Sequence, residues 1–407
     1  MSEYFAYAGL LSTASACVFV ASYAAMHTPM KTRELRKEAG IDVNQDEEEG
    51  QSQSLSSENA YIFPVIGSVA LLSLYLAFKY FDKQVINFLL NFYFAVAGAF
   101  AIPGVVEHLS KVARGGTEAY LEPLTIHLQL VPRSKLVLRL RLPCPSRWAH
   151  ESSSKTAGAA PPITDVHSLP IASTHTHTVD LLGFVVMGVY LYTRSWWVTN
   201  IVAVSFAIQS IMLITLDSFK TGFILLAGLF FYDIFWVFGS ARLVKSGPSV
   251  MVSVATNFDG PIKILCPKNL VQIATAWSQS KTVPKLAFAL LGLGDIVIPG
   301  VFVALALRFD QLHASTKQPG LHFTRFFRDF PKPYFTACLA AYVGGLVTTM
   351  VVMHVFGAAQ PALLYLSPAC SLSVVAVALQ RGELPELWRW EDRSIEPSPV
   401  EEKSKDA

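Results

Sequence analysis

Long apolar segments recur along this chain of 407 residues, and they restrict what it can fold into more than any other feature. A membrane-spanning helix needs about twenty predominantly apolar residues, and nine segments come close to that length, the fourth being the shortest. The chain is 52% hydrophobic and 15% charged, whereas soluble domains carry about a quarter charged residues. The sequence therefore predicts an all-α polytopic membrane protein with about nine transmembrane helices. The predicted spans are Tyr4–Met26, Ala60–Phe78, Val85–Val106, Val179–Thr193, Trp196–Leu216, Thr221–Ser240, Leu286–Leu307, Tyr334–Phe356 and Pro361–Gln380.

The distribution of lysine and arginine predicts how these spans are oriented. With nine spans the two termini lie on opposite faces, and 23 of the 32 basic residues fall on the face that carries the C-terminus. Because positive residues favour the cytoplasmic side, we expect a cytosolic C-terminus and a lumenal N-terminus. Lys403 and Lys405 resemble the dilysine signals that return membrane proteins to the endoplasmic reticulum, so the endoplasmic reticulum membrane is the expected location.

The polar segments suggest how the chain is divided. Residues 1–380 are expected to form one membrane-embedded domain, and residues 381–407 a disordered cytosolic tail. The stretch 132–178 has Pro and Ser clusters and no sustained periodicity, which predicts an irregular or disordered insertion. The loop 241–285 contains β-branched residues and an Asp-Gly-Pro turn, which predicts short strands.

Two aspartates lie deep inside predicted spans, where a carboxylate costs ~2.5–3.5 kcal/mol on insertion scales. Asp233 in FYDIFWVFG and Asp295 in LGLGDIVIPG belong to the sixth and seventh spans, which run antiparallel. At ~1.5 Å per residue their depths below the exoplasmic ends are about 9 and 14 Å, so the two carboxyls can meet. Two carboxyls in contact hold one proton between them. The ionised member can then take a proton from water while the other donates to a carbonyl oxygen, as in an aspartic protease.

Two glycines, Gly292 and Gly294, come just before Asp295. The absence of side chains lets another backbone approach the acid and weakens the helix locally, which suits a site that accepts an extended peptide. A dinucleotide-binding loop is excluded because no third glycine and no phosphate-binding strand–helix context follow. Each aspartate could instead be a structural, hydrogen-bonded polar residue, but a level-matched pair of deep acids favours chemistry.

Three motifs carry a resemblance to a known family. FYDIFWVFG, LGLGDIVIPG and QPALLYL (360–366) resemble the Tyr-Asp, Gly-x-Gly-Asp and Pro-Ala-Leu motifs of the presenilin-like intramembrane aspartyl proteases, and within that group they are most similar to signal peptide peptidase. The resemblance implies a presenilin-like bundle in which Asp233 and Asp295 form the catalytic pair. It also implies cleavage of type II transmembrane segments such as remnant signal peptides. Substrate-positioning roles are implied for Tyr232, Gly292, Gly294, Pro361, Ala362 and Leu363.

Other functions stay open at this point. A transporter or ion channel would use the two aspartates to bind a proton or cation, and a non-catalytic adaptor would bind transmembrane segments. We find no inverted repeat that would favour transport. The proteolytic chemistry requires no metal or cofactor, and its partners are transmembrane peptides and the bilayer. Nucleic acid is not an expected partner because no basic stripe stands on a polar surface, and the sequence leaves open whether the chain forms a homo-oligomer.

Overall fold

A computed structural model describes residues 2–26, 53–55, 57–113, 126–131, 135–140, 174–240, 249–269, 287–317, 330–357 and 360–392. Eleven α-helices and six short strands lie within these ranges. Eight helical stretches in them are long and apolar enough to cross a membrane, and Leu181–Thr193 is a shorter apolar helix. The predicted all-α polytopic membrane protein is confirmed.

The elements follow one another in a simple order along the chain. The helices are α1 (Ser2–Ala24), α2 (Ser57–Tyr80), α3 (Lys83–Ala113), α4 (Thr174–Thr193), α5 (Trp196–Leu213), α6 (Phe219–Ile234), α7 (Val250–Asn257), α8 (Gly294–Lys317), α9 (Pro333–Phe356), α10 (Leu363–Arg381) and α11 (Leu384–Arg389). The strands are β1 (Gln53–Leu55), β2 (Ile126–Val131), β3 (Lys135–Leu140), β4 (Ile214–Leu216), β5 (Lys263–Pro267) and β6 (Phe288–Gly292). They form three two-stranded sheets, parallel for β1–β4 and antiparallel for β2–β3 and β5–β6.

Helix α8 lies at the centre of the bundle. In the most apolar window of each helix, 83% of the residues of α8 are buried, against 6% for α2. A helix that is apolar on all sides is stable only where neighbours surround it, and α1, α5, α6, α9 and α10 pack around α8. Glycine permits close contacts here: a Cβ on Gly300 of α8 would lie 2.6 Å from Ile211 of α5, and a Cβ on Gly222 of α6 would lie 2.7 Å from the Phe302 ring.

The predicted start of the seventh span, at Leu286, is wrong. Residues Phe288–Gly292 form strand β6, and α8 begins only at Gly294. The apolar run before Gly294 is continuous with the helix in sequence, but its backbone pairs with β5 across a register that joins Ile264 to Leu291. Short apolar runs are compatible with either a strand or a helix, and only the pairing partner decides.

The predicted end of the seventh span, at Leu307, is also wrong, because α8 continues to Lys317. Arg308 and Asp310 look like the polar end of a span, yet both are buried. The Arg308 guanidinium lies 2.8 Å from the carboxylate of Asp392. The Asp310 carboxylate accepts hydrogen bonds from the first backbone N–H groups of α9, those of Tyr334 and Phe335, at 3.3 and 2.8 Å. Tertiary partners therefore replace solvent for both charges.

The segment after α10 is folded up to Asp392, where a disordered tail was expected from residue 381. Helix α11 follows directly, and its Leu387 is fully buried. The Trp390 ring packs against the rings of Phe219 in α6 and Phe309 in α8, with centroids 5.7 and 5.1 Å apart. Residues 393–407, with the two tail lysines, lie outside the described residues.

Two loop predictions are met only in part. In the loop 241–285, β5 is a strand as predicted, but Val250–Asn257 is helix α7. The Ser249 side chain caps α7 by accepting a hydrogen bond from the backbone N–H of Val252, and such a cap favours a helix. In the stretch 132–178, strand β3 pairs with β2 where irregular structure was predicted. Residues 141–173 lie outside the described residues.

Candidate active site

Asp233 lies at the end of α6, directly before the π-helical segment Phe235–Gly239. Its side chain is buried, with 3% relative exposure. The backbone N–H of Leu363, the first residue of α10, lies close enough to the Asp233 carboxylate to stabilise its charge. The first N–H groups of a helix have no partner within it and carry the positive end of its dipole, so α10 offsets part of the cost of this intramembrane charge.

The Pro-Ala-Leu segment thus reaches Asp233 through its backbone. Pro361, Ala362 and Leu363 are all buried at the start of α10. Proline near a helix start supplies a preset backbone angle, and Pro361 lies two residues before the first residue of α10. The structure brings these three predicted residues to the first aspartate.

Asp295 is the second residue of α8 and is half-buried. A carboxylate in the first turn of a helix is stabilised by the helix dipole. The carboxylates of Asp295 and Asp233 are close enough to interact electrostatically. The two aspartates therefore converge, each at the N-terminal end of a helix, Asp233 at α10 and Asp295 at α8.

The predicted position of Asp295 well inside a helix is wrong. The sequence predicts that the two carboxyls meet because they lie at similar depths along two helices, with Asp295 nine residues into the seventh span. In the structure, strand β6 carries the chain to the level of the dyad, and the helix begins there. Asp295 therefore reaches the dyad at the start of a helix that follows a strand, and not nine residues into a helix.

Gly292 and Gly294 border open space beside Asp295. A Cβ on Gly292 would lie 3.5 Å from Oδ2 of Asp295, and a Cβ on Gly294 would meet no atom within 4 Å. Neither glycine has a positive φ. Their value is therefore the room they leave at the carboxylate, and no special backbone angle requires them.

Tyr232, the neighbour of Asp233, contacts helix α2. Its hydroxyl donates to the carbonyl oxygen of Gly67 in α2 at 3.5 Å, and its ring lies 6.4 Å from that of Trp236. Trp236 in turn donates to Oγ of Ser68, at 3.0 Å. These contacts hold the end of α6, and hence Asp233, against α2.

Tyr342 of α9 is a residue at this site that the sequence did not single out. It is fully buried, and in the described part of the chain its hydroxyl has no hydrogen-bond partner. Asp295 is among the charged groups close enough to act on it. Within an apolar span a tyrosine looks like a packing residue, so no sequence signal distinguishes it.

The sheet formed by β5 and β6 leads directly into Asp295. The Leu293 N–H donates to the Ile262 carbonyl, and the Lys268 N–H to the Ala287 carbonyl. Because alternate residues of an antiparallel pair turn their backbone groups toward the partner strand, those of Phe288, Leu290 and Gly292 point away from β5. Among the described residues, none is seen to bond these outward groups, so β6 has an open edge beside the dyad.

The polar groups at this site are carboxylates, hydroxyls and backbone amides. Across the described ranges, no group of three or more His, Cys, Asp or Glu side chains is arranged to hold a metal ion. A pair of interacting carboxylates beside open space and an open strand edge is suited to acid–base chemistry on an extended peptide.

One family model and three named proteins match most of this chain. The sequence model of the signal peptide peptidase family matches residues 47–394. Signal peptide peptidase of Mus musculus is 35% identical over 359 residues, which cover 87% of this chain and 78% of that protein. The Homo sapiens signal peptide peptidase is 35% identical over 345 residues, covering 84% and 74%. A probable intramembrane protease of Schizosaccharomyces pombe is 31% identical over 364 residues, covering 89% and 92%. The chain therefore belongs to the signal peptide peptidase family of intramembrane proteases.

Proposed function

We propose that the chain is an intramembrane aspartyl endopeptidase that cleaves type II transmembrane segments, including remnant signal peptides. The observation that carries this proposal is the convergence of the Asp233 and Asp295 carboxylates at two helix N-termini. Two such carboxyls share a proton because like charges at short range do not both ionise readily.

The two carboxyl groups divide the acid–base work. The ionised member takes a proton from a water molecule, whose oxygen attacks the carbonyl carbon of the peptide bond. The protonated member gives its proton to the carbonyl oxygen, which forms a gem-diol. The C–N bond then breaks, the amine leaves with a proton from one carboxyl, and a diol hydroxyl returns a proton to the other. One water is consumed and the dyad is restored.

The substrate must be extended at the point of cleavage, because a helical peptide bond is shielded by its own side chains and hydrogen bonds. The open edge of β6 offers backbone donors and acceptors to such a segment, and strand addition is a common mode of peptide recognition. In lipid these bonds are valuable, since the unwound substrate backbone has no water to bond. The space at Gly292 and Gly294 then admits the scissile bond to Asp295.

The same proposal places the protein in the endoplasmic reticulum membrane with a lumenal N-terminus and a cytosolic C-terminus. The charge distribution over the loops supports this orientation. Transmembrane peptides and the surrounding lipid are the partners it needs.

Reconstitution into liposomes with a type II transmembrane peptide tests the proposal. We expect two products whose masses sum to that of the peptide plus one water, and in ¹⁸O-water the new carboxyl group should gain one ¹⁸O atom. A peptide of the same composition inserted in the reverse orientation is the control and should be cut far less. Proton or calcium flux without cleavage would contradict hydrolysis and favour a transporter.

Gly294→Ala should lower cleavage at least about tenfold, because a methyl group would occupy the space where the scissile bond approaches Asp295. The fold should be unaffected, since no atom lies within 4 Å of the added Cβ, and a Gly→Ala change of this kind usually adds ~0.4–1 kcal/mol of stability. Cleavage rate and thermal unfolding are measured together.

Gly344→Ala is the matched control for that substitution. Gly344 lies on the exposed side of α9, and its Cβ would also meet nothing within 4 Å. This variant should cleave like the parent. Equal activity of the Gly294→Ala variant and the parent would show that the space beside Asp295 is not used.

A further inference from the structure

His313 lies near the end of α8 and is half-buried. Its Nδ1 atom is 3.0 Å from the carbonyl oxygen of Phe309, one turn earlier in the same helix. A carbonyl oxygen can only accept a hydrogen bond, so Nδ1 carries a proton and donates it. In the neutral ring the second nitrogen, Nε2, is then an acceptor without a proton.

The Nε2 atom of His313 is directed at two carboxylates. It lies 3.6 Å from Oε2 of Glu386 and 3.9 Å from Oε2 of Glu383. Nε2 is buried, and within the described ranges it has no hydrogen-bond partner. A neutral ring places an unprotonated acceptor beside two further acceptors, which leaves all three without a donor. Only the protonated ring offers these carboxylates an N–H and a positive charge.

Glu383, between α10 and α11, is held in place as a partner for this ring. The Tyr334 hydroxyl donates to its Oε2 atom at 2.7 Å, and Nε of Arg381 lies 3.1 and 3.0 Å from its two carboxylate oxygens. Burial alone would raise the pKa of Glu383, but the hydrogen bonds from Arg381 and Tyr334 and the nearby His313 lower it below its usual value. Glu383 is therefore ionised at neutral pH, where histidine is the side chain that ordinarily changes charge.

The other charged groups of α8 near His313 have different surroundings. Asp310 accepts the first backbone N–H groups of α9. Lys317 is exposed at the end of α8. Arg308 is paired with Asp392 at 2.8 Å, and arginine keeps its charge at any pH at which the protein is folded. A loss of attachment between pH 5 and 8 is therefore expected at the histidine.

Helices α8 and α10 both begin at the dyad and both run toward this contact. Asp295 is the second residue of α8, and Leu363, which faces Asp233, is the first residue of α10. The stretches from Asp295 to His313 and from Leu363 to Glu383 are about 27 and 30 Å long at ~1.5 Å per residue. The two helices pack against each other. Because a helix keeps its length, a contact that joins their far ends fixes the axial position of their starts.

We propose that protonated His313 is a positioning residue, which binds Glu383 and Glu386 and so holds the start of α8, with Asp295, in register with the start of α10 beside Asp233. The inference rests on the proposed function and deepens it, because it names a residue through which pH acts on the dyad from a distance. The stabilisation is present while the ring is protonated and is lost as the pH rises and the ring releases its proton, since the unfolded chain holds no carboxylates against it.

Cleavage of a type II transmembrane peptide in liposomes, measured from about pH 5.5 to about pH 8.5, tests this role. His313→Lys is the comparison, because lysine keeps its positive charge over this range. We expect the ratio of the parent's kcat to that of the His313→Lys variant to fall about fivefold as the pH rises, the size of effect that a partly exposed ion pair supplies. The dyad and Asp310 titrate in both proteins and cancel in the ratio. KM should not change, since peptide binding does not involve His313.

Two further variants serve as controls for this measurement. His313→Gln has no charge at any pH, so its kcat relative to the His313→Lys variant should be low and constant over the range. His354→Gln replaces a histidine at the opposite end of α9, where the ring lies 5.8 Å from that of Tyr4. This variant should keep the pH dependence of the parent.

Thermal unfolding in detergent measures the attachment without any cleavage. In proteins that carry Asp295→Ala, one carboxyl of the dyad is absent. Between the same two pH values, the unfolding midpoint should fall about 2 °C further with His313 present than with His313→Lys. An equal fall in both proteins would overturn the attachment of α8 to Glu383 and Glu386.

Failure of this inference is distinct from failure of the proposed function. A constant ratio of kcat between the parent and the His313→Lys variant would overturn the positioning role, and so would a change confined to KM. Absence of cleavage by the parent, with the expected difference in unfolding midpoints, would overturn the protease chemistry and leave the attachment standing.

Discussion

Replacing Asp295 by alanine is expected to lower cleavage by about 10²–10⁴-fold, the range typical for loss of a general acid–base group. Asp233→Asn should have an effect of the same size, because an amide does not take up the shared proton. The amide oxygen can still face the Leu363 N–H at the start of α10, so α10 should stay in place. Initial cleavage rates of a type II peptide in liposomes measure both effects.

The thermal stability of the fold and the binding of the peptide should not decrease in these two variants. Removing a carboxylate from the membrane relieves a cost of ~2.5–3.5 kcal/mol, so the variants should unfold at the parent's temperature or above. Binding of the transmembrane peptide should persist. Asp82→Asn serves as the control, because Asp82 is an exposed acid whose side chain, within the described ranges, accepts only the Gln84 N–H, at 2.9 Å. Activity above a tenth of the parent's in the Asp295→Ala variant would exclude the dyad mechanism.

Arg308→Met is expected to destabilise the fold by about 3–5 kcal/mol, the usual cost of leaving one member of a buried ion pair alone. Arg308 and Asp392 are 1% and 2% exposed in their side chains and 2.8 Å apart. The backbone N–H of Asp392 also donates to the Asp217 carbonyl before α6, at 2.6 Å. The pair thus ties α6 and α8, which carry the two aspartates, so cleavage should fall together with the midpoint of thermal unfolding in detergent.

The double variant Arg308→Met, Asp392→Leu should recover most of this loss, since replacing both members of a buried pair by apolar residues is often neutral. Arg194→Met is the exposed counterpart. Arg194 lies 3.5 Å from Asp259 with side-chain exposures of 49% and 74%, and its loss should cost no more than about 1 kcal/mol. If the Arg308→Met variant were as stable as the parent, the buried pair would have no part in joining the two helices.

Most of the candidate site could be predicted, because its residues break a strong local pattern. Asp233 and Asp295 are conspicuous in apolar spans, and Gly292 and Gly294 are conspicuous beside an acid. The backbone contact from Leu363 to Asp233 could not be predicted, since it depends on where α10 begins relative to α6. Tyr342 could not be recognised for the same reason.

By itself the sequence determined that the chain is a bundle of membrane-spanning helices. It also determined that two carboxylates lie within apolar spans, where their cost indicates a chemical role. These properties depend on local length and polarity, which neighbours do not alter. The tertiary structure alone decided that residues 288–292 form a strand and that Arg308 is inside the protein. It also decided that the Asn200 amide bonds the backbone of Leu265, 65 residues further along the chain. Each of these depends on a partner distant in sequence, and no local preference specifies which partner a strand, a charge or an amide will meet.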